Sequence, residues 1–405
     1  MLMPQLFRLP VLGLGVALLV GCDAPITSFP SNELYGLVAA KRESMDEAPT
    51  ADFATIAAVM EASFGTPDEP RVPAGIDDSL VELSNLTRAA GPQWSDQAGV
   101  HFGLYREHCA TCHGVEGGGA GPAAALLNPY PRDFRAGVFK FKSTGRADKP
   151  THADLVTLLR RGIPGTAMPS FSQVSDDDLT AIIQYVRYLA IRGETERQLI
   201  DRVMSEELTA VALSASASEI VSEVAQEWLD AEARVVPVPE KPSPEGDNAW
   251  WDRPELIEQG RELFHGPLAN CASCHGNGGD GNVTTLDFDD WTKEYTTKLG
   301  ISPSDRAAVK QMRSVGALRP RQTLPRKLQW NAYHGDDSDE ALYRRLVTGI
   351  AGTPMPGLLL QQTPLENSAS ETELKSPSPG QAVPGVSAKD VWAIVAYLRS
   401  LATNP

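Results

Sequence analysis

Residues 107–121 read EHCATCHGVEGGGAG, and residues 269–282 read ANCASCHGNGGDGN. Each stretch holds Cys-x-x-Cys-His, and the second motif begins 162 positions after the first (271 − 109). The chain has 405 residues and five cysteines, so Cys109, Cys112, Cys271 and Cys274 leave only Cys22 over. A Cys-x-x-Cys pair alone serves as a redox dithiol or as half of a zinc site. The histidine that follows, His113 or His275, changes the chemistry. Two thiols three positions apart reach the two vinyl groups of one porphyrin, and the adjacent imidazole lies over its iron, which is the attachment pattern of c-type haem. The competing readings fail on specifics. A shared zinc site would have to bridge two repeats that each look complete. A thioredoxin-like dithiol needs a strand before it and a helix starting at its first cysteine, and a disulfide across two residues would be strained.

The repetition extends well beyond the motifs. DQAGVHFGLYREHCATCHG (96–114) is followed by LVTLLRRGIPGTAMPSF (155–171) and DDDLTAIIQYVRYLA (176–190). LIEQGRELFHGPLANCASCHG (256–276) is followed by ALYRRLVTGIAGTPMPG (341–357) and AKDVWAIVAYLRSLA (388–402). Each copy reads as helix, Cys motif, irregular loop, short helix, Met-Pro loop and terminal amphipathic helix. Leu179, Ile182, Ile183, Val186 and Leu189 share one face of the first terminal helix, and Val391, Ile394, Val395, Leu398 and Leu401 do so in the second. Met168 stands 55 residues after His113 (168 − 113) and Met355 stands 80 after His275 (355 − 275). Both precede a proline, Pro169 or Pro356, whose fixed φ lets a loop hold a thioether in place. Methionine as a sixth iron ligand raises the reduction potential.

The Cys-x-x-Cys-His motifs, the Gly-x-x-Gly-Thr-x-Met-Pro loops and the closing helices resemble class I cytochrome c domains in a tandem di-haem arrangement. The resemblance covers most of residues 95–192 and 255–402. It implies an all-α fold, two covalently bound haem c groups, and iron held by His113 with Met168 and by His275 with Met355. In this family the proximal imidazole usually donates to the carbonyl of a proline shortly after the motif. Pro122, in GAGPAAALLNP (119–129), resembles that partner; GDGNVTTLDFDDW (279–291) has no proline there, so the two potentials are expected to differ.

The expected function is transfer of single electrons between respiratory or dehydrogenase partners. Iron with six ligands filled has no open position for substrate, so no catalysis and no small-molecule substrate are expected. Two other readings stay open: a haem-carrying subunit of a larger respiratory complex, and a di-haem peroxidase. The last needs a displaceable ligand with acid and base groups above the iron, and neither repeat shows an obvious set. Net charge is −16 (36 − 52), which argues against nucleic acid and suggests redox partners with a basic docking patch.

LFRLPVLGLGVALLVGC (6–22) has one positive charge, Arg8, and then an apolar run over 9–20, too short to span a bilayer but suited to a signal-peptide core. Its end resembles a bacterial lipobox, so residues 1–22 are expected to be a lipoprotein signal peptide with Cys22 lipidated. The mature chain would then be exported, periplasmic and held to a membrane by lipid. Residues 23–95 are expected to form a tether and an extension with one helix, Asp52 to Ser63. The first domain spans 96–204. Residues 205–249 form an acidic helix, with Ile220, Val224 and Trp228 on one face, and the Pro-rich connector VVPVPEKPSPEGDN (235–248). The second domain spans 250–405 with a Pro/Ser-rich insert over 361–386. Asp176, Asp177 and Asp178 are expected to cap the first terminal helix. Arg132, Arg135, Lys140, Lys142, Arg319, Arg321 and Arg326 are candidates for neutralising haem propionates or plain surface charges. Phe134, Phe139, Trp291 and Trp330 are read as pocket or core residues, and His101, His108, His152, His265 and His334 as surface or packing residues.

Overall fold

The computed structural model describes residues 26, 28–46, 50–91, 94–97, 99–101, 103–244, 249–283, 286–361 and 385–401. The signal segment with Cys22 and nearly all of the 361–386 insert fall outside the described residues. The described residues are mostly helical with few strands, an all-α protein.

Among the described residues three helices precede the first strand: α1 (Glu33–Arg42), α2 (Thr50–Phe64) and α3 (Leu83–Ala89). Sequence reading anticipated only the one over 52–63. In α1 the six consecutive residues from Tyr35 to Ala40 are all buried, so no polar face marks the helical period. Next, β1 (Trp94–Asp96) and β2 (Gly99–His101) pair antiparallel, with Trp94 opposite His101. The helix expected to run into the first motif is therefore short: α4 (Leu104–His108), followed by α5 (Ala110–His113).

The rest of the first half is α6 (His152–Arg161), α7 (Asp176–Ser205) and α8 (Ala210–Asp230). Helix α6 starts in a reciprocal capping box between Thr151 and Asp154. At α7 the cap is Ser175, whose Oγ accepts from the Asp178 amide at 3.1 Å. Asp176, Asp177 and Asp178 are not the caps; they occupy the first turn, where the helix dipole favours negative charge. Helix α7 runs 30 residues, well past the expected Ala190, about 45 Å of rise. Helix α8 buries Ile220, Val224 and Trp228 completely against α7 and α2. One continuous core runs from Phe29 to Trp228, so the N-terminal extension and α8 share it with the first haem-motif repeat.

The second half contains α9 (Pro254–His265), α10 (Ala272–His275), β3 (Asp287–Phe288), α11 (Asp290–Glu294), α12 (Arg306–Ser314), β4 (Gln322–Thr323), α13 (Asp339–Thr348) and α14 (Ala388–Ser400). Helices α9 and α14 approach so closely at Gly260 that a Cβ there would lie 2.0 Å from the Ala393 carbonyl oxygen. This pair anchors a second core, from Trp250 to Leu398. A third, small cluster joins Leu37 and Val38 of α1 to Tyr295, Met312 and Ala317 of the second half. The Pro-rich connector is held at its start: the Val236 amide donates to Ser143 O at 2.9 Å, and Arg344 Nε donates to Val236 O at 2.9 Å. Among the described residues no helix is long and apolar enough to cross a membrane.

Candidate functional site

Each Cys-x-x-Cys-His sits on a single helical turn, α5 or α10, that ends at a left-handed glycine, Gly114 (φ 78°) or Gly276 (φ 77°). The chain then folds back: Gly119 N donates to His113 O, and Gly281 N to His275 O, each at 2.8 Å. A second strand of chain lies against this turn. Phe134 N donates to Gly117 O at 2.8 Å, and Leu328 N to Gly279 O at 2.7 Å. The glycines permit that contact. A Cβ on Gly119 would lie 2.8 Å from Pro131 O, and one on Gly281 would lie 2.9 Å from Pro325 O.

This packing delivers the partner of each imidazole. His113 Nδ1 lies 2.9 Å from Arg132 O, and His275 Nδ1 lies 3.0 Å from Arg326 O. The expectation that Pro122 plays this part is therefore corrected. The chain around Pro122 is tied to other carbonyls of the motif, with Gly121 N on Cys112 O at 3.1 Å and Ala123 N on Thr111 O at 3.0 Å. The second copy, for which no partner was identified in the sequence, uses the matching carbonyl. The signal was a Pro-Arg step in both copies, Pro131-Arg132 and Pro325-Arg326, hidden by different spacings from the histidine. Burial lowers the pKa of both imidazoles, which keeps them neutral. With Nδ1–H donated to a carbonyl, Nε2 carries the lone pair, and it makes no hydrogen bond among the described residues. Burial pushes the Cys109 thiol up to about 12 and Cys271 to about 11. All four motif cysteines are free of disulfides.

The methionine loops match bond for bond. Ile163 N donates to Met168 O at 3.1 Å, and Ile350 N to Met355 O at 3.2 Å. Thr166 Oγ1 donates to Ile163 O and accepts from Met168 N, at 2.8 and 3.1 Å. Thr353 does the same with Ile350 and Met355, at 2.8 and 3.2 Å. Gly162 (φ 65°) and Gly349 (φ 70°) end the preceding helices, α6 and α13, and start these loops. Met168 packs on the first core and Met355 on the second.

The surroundings suit a flat apolar group with carboxylate tails. Leu126 is 88% exposed, Leu324 66% and Trp330 63%, large apolar side chains left without cover. Trp291 Nε1 and Tyr333 Oη are buried donors without an acceptor among the described residues. Lys140 has no ion pair there either; burial, then Arg132, holds its pKa down at about 7. Four of the other basic candidates are hydrogen-bonded. Arg135 forks onto Asp133 at 3.0 and 2.9 Å, and Lys142 donates to Arg146 O at 3.0 Å. Arg321 caps Leu127 O, and Arg326 Nε donates to Ala332 O at 2.7 Å. Phe134 stacks on His113 at 4.6 Å, and Phe139 stacks on Phe134 at 5.9 Å. His265 lies between two carbonyls, and His334 Nε2 is 2.8 Å from Arg326 Nη1, so both rings are already partnered. Among the described residues no three His, Cys, Asp or Glu side chains gather as a metal site.

The two halves meet along a charged and aromatic seam. Arg161 pairs with Asp336 and Asp337 at 3.3 and 2.6 Å. Arg132 lies 3.4 Å over the Trp291 ring, and that ring packs on Gly352 of the Met355 loop, where a Cβ would come within 2.2 Å.

Residues 101–186 match the family model described as cytochrome C oxidase, cbb3-type, subunit III, and residues 257–402 match that described as cytochrome c. No curated protein matches significantly. Among solved structures, the chain is similar to a chain of the Kuenenia stuttgartiensis reducing HAO-like protein complex. The two share 20% identity with a TM-score of 0.42, over 74% of this chain and 94% of that one, too loose a likeness to transfer a fold or role. The chain is a tandem of two cytochrome c-type domains, the kind of domain that carries covalent haem c.

Proposed function

We propose that this chain is a di-haem electron carrier, exported and lipid-anchored through Cys22. On this reading Cys109 and Cys112 hold one haem c by thioether bonds, and Cys271 and Cys274 hold the other. His113 and His275 are the proximal ligands, and Met168 and Met355 are the sixth ligands. The first domain is residues 96–204, with α1, α2, α3 and α8 packed on it, and the second begins at 250. A bound haem c supplies one-electron chemistry through its iron. The chain's own residues keep the imidazoles neutral and oriented and hold the methionines on matched loops, and a haem iron held by both would have no open position.

One observation carries the reading: both imidazoles give Nδ1 to a main-chain carbonyl and keep Nε2 free of any protein partner among the described residues. Two sites of this kind in one chain suit passage of electrons from a donor to an acceptor. The acidic balance, −16, suits partners with a basic docking patch. Stopped-flow reduction by a basic redox protein across a range of ionic strengths tests this. The expected result is a rate that falls steeply as salt rises. A rate independent of salt contradicts the docking surface, and steady turnover of peroxide contradicts the carrier reading itself.

A further inference from the structure

Arg146 belongs to the first domain, yet it grips the methionine loop of the second. Its Nη1 donates to Ile350 O at 2.9 Å and Met355 O at 2.7 Å, and its Nη2 donates to Thr353 O at 2.9 Å. These three residues also make the loop's internal hydrogen bonds. The guanidinium fork therefore closes over the carbonyl side of a turn that Thr353 closes from within. The arginine is held in place from its own side. Thr144 Oγ1 donates to Lys149 O at 2.7 Å, Thr144 bridges to Val235, and Lys142 Nζ donates to Arg146 O at 3.0 Å.

Arg326 lies beside Gly165 of the matching loop in the first domain without clamping it. That loop has the same internal bonds at Ile163, Thr166 and Met168, but no arginine or lysine donates to those carbonyls among the described residues. Pro164, Gly165 and Ala167 are exposed, whereas Ala351, Gly352 and Thr353 are buried.

We propose that Arg146 is a positioning residue for Met355, so that the second site is completed across the domain boundary by hydrogen bonds that the Met168 loop lacks among the described residues. The inference rests on the reading of Met355 as an iron ligand. Two consequences follow. A fixed cation near the second site disfavours the more positive, oxidised state, and a clamped loop keeps the thioether in place; both raise the second potential relative to the first. Perturbing the first domain's loop 143–149 also reaches the second site directly.

The test compares the full-length holoprotein with Arg146→Ala, Arg146→Lys, Arg161→Ala and Met355→Ala. The readouts are the sulfur-to-iron charge-transfer band, the two midpoint potentials, and amide exchange over 350–355. Arg146→Ala is expected to open the Met355 loop about fivefold more often, the scale of exposed charged hydrogen bonds. It is also expected to lower one midpoint and leave the other in place, with partial recovery in Arg146→Lys. Arg161→Ala, which breaks a different contact across the seam, is expected to leave band and midpoints unchanged. If Met355→Ala removes half of the band while Arg146→Ala matches wild type, this inference falls and the ligand reading stands. If Arg161→Ala reproduces the effect of Arg146→Ala, general adhesion of the domains replaces positioning. If Met355→Ala leaves the band whole, the ligand reading and this inference fall together.

Discussion

The carbonyl oxygen of Arg132 lies 2.9 Å from Nδ1 of His113, and the same pairing recurs between Arg326 and His275 at 3.0 Å. A hydrogen bond from the outer nitrogen fixes the ring's tautomer and makes the inner nitrogen a stronger donor to metal. The acceptor is main chain, so its position depends on how closely the Pro-Arg strand approaches the glycine turn.

Gly119→Ala is therefore expected to matter and Pro122→Ala is not. An alanine at position 119 would carry an unfavourable φ of 71° and press its Cβ on Pro131 O. The expected cost is ~2–3 kcal/mol, with a displaced midpoint at the first site only. Pro122→Ala is expected to stay within ~1 kcal/mol of wild type with both midpoints unmoved. Chemical denaturation with potentiometric titration checks both, and a displaced midpoint in Pro122→Ala alone would contradict the assignment.

Exposure separates the two methionine loops. Pro164, Gly165 and Ala167 face solvent, while Ala351, Gly352 and Thr353 are covered. Added imidazole is expected to replace Met168 about tenfold faster than Met355, because the covered loop must open against more packing. Rapid-mixing spectra of the wild type, read against Met168→Ala, assign the phases. Equal rates at both sites would show that cover does not limit access.

Gly260 fixes how tightly α9 and α14 cross. A valine there has no room beside the Ala393 carbonyl, so Gly260→Val is expected to destabilise the second domain by ~2–4 kcal/mol. The first domain, whose core is separate, is expected to keep its unfolding midpoint. Urea titration followed at each haem decides, and a variant that unfolds like wild type contradicts the crossing.

His334 gives a pH signature. Burial, then Arg326, Arg345 and Lys140, holds its imidazole at about 4 against an ordinary 6.5. The folded chain keeps this ring neutral in the window where the unfolded chain protonates it. The stability it contributes is present above about pH 6.5 and is lost as pH falls towards about 4. His334→Gln is expected to flatten the fall in urea midpoint across that window. Equal slopes in variant and wild type would place the pH dependence elsewhere.

The motif cysteines, their histidines and Met168 and Met355 stood out in the sequence because each pattern is local and occurs twice. The imidazole partners did not. Arg132 is 19 residues from His113 and Arg326 is 51 from His275, since the second copy inserts α11 and α12 between glycine turn and Pro-Arg step. Side-chain patterns also say little about a carbonyl, which every residue carries. The periodicity that exposed the terminal helices failed for α1, buried all round from Tyr35 to Ala40, and for the hairpin before α4. Arg146 carries no signal in the sequence because its partners lie more than 200 positions away in the other domain.

The number of covalent haems decides the di-haem assignment. The direct measurement is the intact mass of the mature protein with its pyridine haemochrome spectrum, from a host that matures c-type haem. Two haems per chain are expected, falling to one when both cysteines of either motif are replaced by alanine. A colourless protein, or one haem left unchanged by loss of either cysteine pair, would contradict the assignment.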